Sequence, residues 1–133
     1  INAVIGLTQL SHLDRFIQIR KENLTQFDSI LRKHPELFKP FNLKGNSSMV
    51  LPFICQTSQI RNTVLEKLED QRIETRPFLV GNILNQPFVN ALEVVETPNA
   101  DFLDKCGFYI GNNQFVGKKE LRLLEKALSE VSL

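Results

Sequence analysis

From Ile1 to about Lys33 the apolar residues recur at helical spacing. Val4, Ile5, Leu10, Leu13, Phe16, Ile17, Leu24, Phe27, Ile30 and Leu31 form one stripe, and Arg15, Arg20, Lys21 and Glu22 fall mainly off it. This period demands a helix, bent or broken once, and not a strand. Pro35 pushes His34 out of helical geometry, so the helix is expected to end there. Such a length is unusual in a chain of 133 residues. Helices that long commonly run between domains or belong to larger assemblies. The chain also opens on Ile1 without Met, on what reads as a helix interior, and is expected to be a piece of a longer protein. The expected organisation is a long inter-domain helix over 1–34 and a small domain over 35–133.

Beyond Pro35 the period changes repeatedly. A loop with Pro40 and Gly45 as breakers leads to an alternating apolar run, Ser47 to Cys55, read as a strand. Pro52 offers no N–H, so that strand should lie at an edge or carry a bulge. Thr57 or Ser58 can cap a helix from Gln59 to Gln71, with Ile60, Val64, Leu65 and Leu68 facing inward. Glu74 to Val80 reads as a second strand and Gly107 to Gly111 as a third. Between them Pro98 and Asn99 open a short helix to about Lys105, and a last helix runs from Lys118 to about Val131. The expected class is α+β: a small, mainly antiparallel, three-stranded sheet covered by helices.

Charge and composition remove several function classes. Formal net charge is +1, with no basic field for nucleic acid. Ten Phe with one Tyr and no Trp favour core packing over base stacking. Cys55 and Cys106 are far apart and are read as reduced core thiols, and the two histidines, His12 and His34, sit in the first helical region, so neither a zinc site nor a Cys-His or Ser-His-Asp set is expected. Glu66, Glu69 and Asp70 fall on the polar side of a helix and read as a solvated face. Phosphate-binding glycine loops, a secretory signal and a membrane-length apolar run are not seen, and a cytoplasmic protein with no membrane or nucleic-acid partner is expected.

What remains is Arg72-Ile73-Glu74-Thr75-Arg76-Pro77, followed by Gly81-Asn82 and Gln86-Pro87. Pro77 forces extended backbone at Arg76. A guanidinium there can grip carboxylate or phosphate with two parallel hydrogen bonds, or be a plain surface cation. Asn82, Asn85 and Gln86 can orient hydroxyl-rich ligands or simply cap a loop. Gly111-Asn112-Asn113-Gln114 repeats that chemistry after the third strand, and the two amide-rich loops could converge on one rim.

These residues also carry a resemblance. Asn2-Ala3-Val4-Ile5-Gly6-Leu7-Thr8-Gln9-Leu10, Ile73-Glu74-Thr75-Arg76-Pro77, Gly81-Asn82 with Gln86-Pro87, Asn99-Ala100-Asp101 and Gly107-Phe108-Tyr109-Ile110-Gly111-Asn112 follow the order of motifs in the DegT/StrS-type family. The chain resembles the C-terminal small domain of these PLP-dependent sugar-nucleotide aminotransferases and dehydratases, nearest the 4-keto-6-deoxyhexose 3-dehydratase branch. The resemblance implies a fold-type I homodimer whose PLP-binding large domain, with its catalytic lysine or histidine, lies upstream of Ile1. It implies a nucleotide-sugar substrate and an amino donor. It implies Arg76, Asn82, Gln86 and Asn112 as substrate-side residues, and no catalytic residue or cofactor in this chain. The alternative from another class is a stand-alone α+β interaction module that docks a partner through its first helix.

Overall fold

The computed structural model of the chain describes residues 2–79, 81–89 and 95–132. The first helical stretch is two helices, α1 (Asn2–Leu10) and α2 (Leu13–Leu31). The break has a local cause. The hydroxyls of Thr8 and Ser11 donate to the carbonyls of Ile5 and Thr8, at 2.7 and 2.8 Å, and compete with the helix ladder. The His12 N–H then closes onto Gln9, three residues back. Helix α1 buries none of its residues, and Val4, Ile5, Leu7 and Leu10 are exposed. Only the C-terminal half of α2 enters the core, through Leu24, Phe27, Ile30 and Leu31.

The remaining elements are β1 (Val50–Ile54), α3 (Ser58–Asp70), two short 3-10 turns (Ile83–Asn85 and Pro87–Val89), α4 (Pro98–Cys106), β2 (Gly107–Gly111) and α5 (Lys118–Ser129). Thr57 caps α3, its Oγ1 accepting from the Ile60 N–H at 3.2 Å. Helix α3 ends with the Arg72 N–H on Glu69 and the Ile73 N–H on Leu68, and this places Arg72 at φ 57°. A non-glycine residue is uncommon in that left-handed region.

Strands β1 and β2 pair antiparallel from Val50↔Gly111 to Ile54↔Gly107. Single bridges flank them, Phe38↔Cys55 beside β1 and Arg76↔Tyr109 beside β2. The fold is α+β, but among the described residues the expected strand over Glu74 to Val80 is this one bridge, with Val80 outside the described residues. Gly107, which Phe78 would have to pair, explains it. Its N–H closes α4 on the Leu103 carbonyl, and its own carbonyl accepts from Arg61 Nε at 3.2 Å. Pro52 causes no ladder defect. Tyr109 opposite it exchanges both backbone bonds with Arg76 on the far side, so β2 asks no donor of Pro52.

The core lies between this sheet and α2, α3 and α5. Phe53 stacks on Phe108 at 4.5 Å and meets Phe27 edge-on at 4.9 Å. All three rings are fully buried and serve packing, whereas Phe88 and Phe115 are exposed.

Candidate functional site

Arg76 sits where the chain crosses β2. Its N–H donates to the Tyr109 carbonyl at 2.9 Å and its carbonyl accepts from the Tyr109 N–H at 2.8 Å, so the backbone is clamped. The side chain is solvent-facing and pairs with Glu74. Exposed pairs of this kind hold weakly. A ligand anion can compete for the guanidinium without any backbone change.

From there the chain turns at Gly81, φ 59°, against α4. A Cβ at Gly81 would lie 2.1 Å from Asp104 Oδ1, so a side chain there would displace Asp104 as well as strain the backbone. Asn82 is 3% exposed. Its Nδ2 donates to Asp101 Oδ1 at 2.7 Å and to Thr97 Oγ1 at 2.9 Å, while its Oδ1 accepts from the Leu84 N–H at 3.0 Å. Asn85 reaches Asp101 and Asp104 at 3.5 and 3.4 Å. Thr97 is the residue before α4, and Asp101 and Asp104 stand at helical spacing on one face of it. The amide loop is therefore pinned to a helix and is not a loose tip. Gln86 closes the first 3-10 turn, its N–H on the Ile83 carbonyl at 3.1 Å.

Asn112 lies elsewhere. It is 2% exposed. Its Nδ2 donates to the carbonyls of Arg20 and Ser48, at 3.1 and 2.8 Å, and its Oδ1 accepts from Asn23 Nδ2 at 3.1 Å. Asn23 also donates to the Val116 carbonyl at 2.9 Å. One buried amide thus joins α2, the approach to β1 and the exit from β2.

The two amide-rich loops do not converge. Asn82 and Asn85 line a hollow of about 340 Å³ with Leu84, Val95, Glu96, Thr97, Pro98 and Asp101. Gln114 lines a different one of about 360 Å³ with His12, Arg15, Phe16, Ile19 and Phe115. The ladder explains the separation. Asn112 bonds Met49 at one end, and Cys55 bonds Cys106, the last residue of α4, at the other. Sequence reasoning missed Asn23, Thr97, Asp101 and Asp104 as partners of these amides. For Asn23 a signal existed, since it lies four residues before Phe27 on the apolar stripe of α2.

The hollow beside Asn82 is lined by Glu96 and Asp101, whose carboxylates can accept from hydroxyl or ammonium donors. It is lined by no lysine, arginine or histidine among the described residues. Its sign is wrong for the phosphate of PLP, so the residues present there do not fit that cofactor. Both thiols are free and buried. Burial pushes the Cys55 pKa from 9.0 up to about 12, Cys106 adding to the rise and Arg61 opposing it. A thiol so shifted is a poor nucleophile. Among the described residues no group of three or more His, Cys, Asp or Glu could hold a metal ion, and no helix is long and apolar enough to cross a membrane.

The profile of the DegT/DnrJ/EryC1/StrS aminotransferase family matches residues 1–112. GDP-4-keto-6-deoxy-D-mannose 3-dehydratase of Escherichia coli O55:H7 is 31% identical over 96% of this chain and 34% of its own length. The Yersinia pseudotuberculosis enzyme of the same name is 27% identical over 98% of this chain and 35% of its own. The chain thus spans about a third of the curated relatives it matches. The solved structure of the E. coli 3-dehydratase with bound hydrated PLP superposes with a TM-score of 0.80 at 31% identity, covering 93% of this chain and 33% of that one.

Proposed function

The chain belongs to the DegT/DnrJ/EryC1/StrS aminotransferase family, and from that premise we propose that it is the small, substrate-closing domain of a PLP-dependent enzyme. That enzyme removes the 3-hydroxyl of a nucleotide-linked 4-keto-6-deoxy sugar in deoxysugar biosynthesis. The observation carrying this reading is the similarity of 96% of the chain to a 3-dehydratase. On this reading the rest of the parent, a cytoplasmic homodimer, holds PLP and the groups that break the bond. When bound, PLP supplies an electron sink, and this chain supplies orientation.

Within the chain Arg76 receives an anionic group of the substrate and gives up Glu74 to do so. Asn85 and Gln86 present amides to hydroxyls. Asn82 shapes their loop, and Asn112 acts at a distance by holding the frame. Membership of an aminotransferase family supports a second reading, transamination, which on a 4-keto sugar would fall at C4. The exposed apolar residues of α1 support a reading as a partner-docking module; in the enzyme reading the rest of the parent covers them.

The test incubates the full-length parent with PLP, glutamate and a nucleotide 4-keto-6-deoxy sugar. A 3-deoxy product is expected. An amino sugar replaces dehydration by transamination, and no turnover of any such sugar overturns the reading. Arg76→Ala is expected to raise KM for the nucleotide sugar about tenfold, the loss of one charge-assisted contact, with folding unchanged. Unaltered kinetics would remove Arg76 from the site.

A further inference from the structure

The most built feature outside the sheet is the clamp between the amide loop and α4. We propose that Asp101 is a positioning residue for substrate: through Asn82 it fixes where Asn85 and Gln86 stand, without touching substrate itself. The inference deepens the proposed function and rests on it for the identity of the substrate.

Three observations carry it. The Asp101 carboxylate sits 2.7 Å from the amide of a residue that is 3% exposed, so the bond is closed on the Asn82 side and faces the hollow on the Asp101 side. The same carboxylate lies 3.5 Å from the Asn85 amide, so one side chain restrains two loop positions. Backbone bonds then pass that restraint along the loop. The Asn85 N–H donates to the Asn82 carbonyl at 3.0 Å and the Gln86 N–H to Ile83 at 3.1 Å. Asp101 is itself anchored. Its N–H bonds the Thr97 carbonyl at 3.0 Å, and Cys106 ties the far end of α4 to the sheet through the Cys55 N–H. An unbroken path of hydrogen bonds and helix thus runs from the core sheet to the loop. Gly81 completes the clamp: its φ of 59° favours glycine, and a Cβ there would push Asp104 aside.

A positioning role predicts a particular kinetic signature. Removing Asp101 leaves the reacting groups intact but lets the loop wander. Binding of the nucleotide sugar then weakens, while turnover of bound substrate changes little. The partner identity is also specific. Asn82→Asp sets a buried carboxylate against the half-buried one of Asp101, and Asp101→Asn in the same protein restores a donor facing an acceptor.

The experiment uses the full-length parent with the nucleotide 4-keto-6-deoxy sugar. Asp101→Ala is expected to raise KM about tenfold with kcat within about twofold, the effect of one charge-assisted hydrogen bond. Asp101→Asn, which keeps an acceptor, should recover most of the loss. Asn82→Asp should be worse than Asp101→Ala, and Asn82→Asp/Asp101→Asn better than Asn82→Asp. Amide hydrogen exchange of the 81–89 segment provides a readout that needs no activity, and it should quicken in Asp101→Ala and return in the double variant. Unchanged exchange there overturns the clamp whatever the enzyme does. Faster exchange with unaltered KM overturns its link to substrate. Wild-type parent that turns over no such sugar counts against the proposed function alone, and exchange still decides whether Asp101 holds the loop.

Discussion

The two ends of the β1–β2 ladder carry loops of nearly the same composition, and they do different work. At one end Asn112 is wholly enclosed and its amide bonds three framework groups. At the other, α4 runs out of Cys106 and holds Asn82 at the wall of an open hollow. An amide acquires its role from what it meets. Enclosed by backbone carbonyls it is a rivet; set between a helix and a hollow it shapes a surface. The difference arises because β2 keeps the two loops apart by the full length of the ladder.

Substitutions at matching positions separate the two roles. Asn112→Ala should cost about 3 kcal/mol of stability, since it leaves the carbonyls of Arg20 and Ser48 and the Asn23 amide short of a partner in the interior. Urea unfolding reads this. Asn82→Ala should cost about 1.5 kcal/mol, because water can enter from the hollow and replace what is lost. Equal costs would erase the distinction.

The Cys55–Cys106 end has its own test in pH. The folded Cys55 pKa, about 12, lies above the ordinary 9.0, so the folded state disfavours ionisation. Its contribution is whole below pH 9 and is lost as pH climbs toward 12. By pH 10 the loss should reach about 1 kcal/mol, and Cys55→Ala should flatten that slope in unfolding measured from pH 8 to 10. The smallest effect is expected away from both ends. Arg72→Gly relieves a left-handed arginine at the end of α3 and should stabilise by about 0.5 kcal/mol, visible as a small rise in Tm.

Much of the fold was legible because its signals are local. Thr57 announces α3 by a side-chain oxygen three residues from its donor. The alternation in β1 and the Phe-rich core follow from period and composition. The third strand was not legible. Glu74 to Val80 has strand character, but the Gly107 groups it needs were taken by Leu103 and Arg61, which only the folded chain brings there. A bend or break in the first helix was expected, but its place after Leu10 depends on hydroxyls turning back on preceding carbonyls, of which apolar spacing carries no trace.

The site divided along the same line. Arg76 was legible as an extended, exposed cation, since Pro77 dictates its backbone from the next position. The roles of Asn82 and Asn112 were not. Both read as loop amides, and their partners lie 19 and up to 92 residues away. Nor could the sequence show that the two amide loops face different hollows, because that depends on the pairing register of β1 with β2.

The most direct test of the proposed substrate edge is the crystal structure of the full-length parent with a nucleotide 4-keto-6-deoxy sugar bound. Polar atoms of the ligand should lie within hydrogen-bond distance of Arg76 and of the Asn85–Gln86 edge, with Asn82 still on Asp101 and Asn112 out of contact. A ligand seated against Asn112, with the Gly81–Pro87 segment remote from it, would contradict the account.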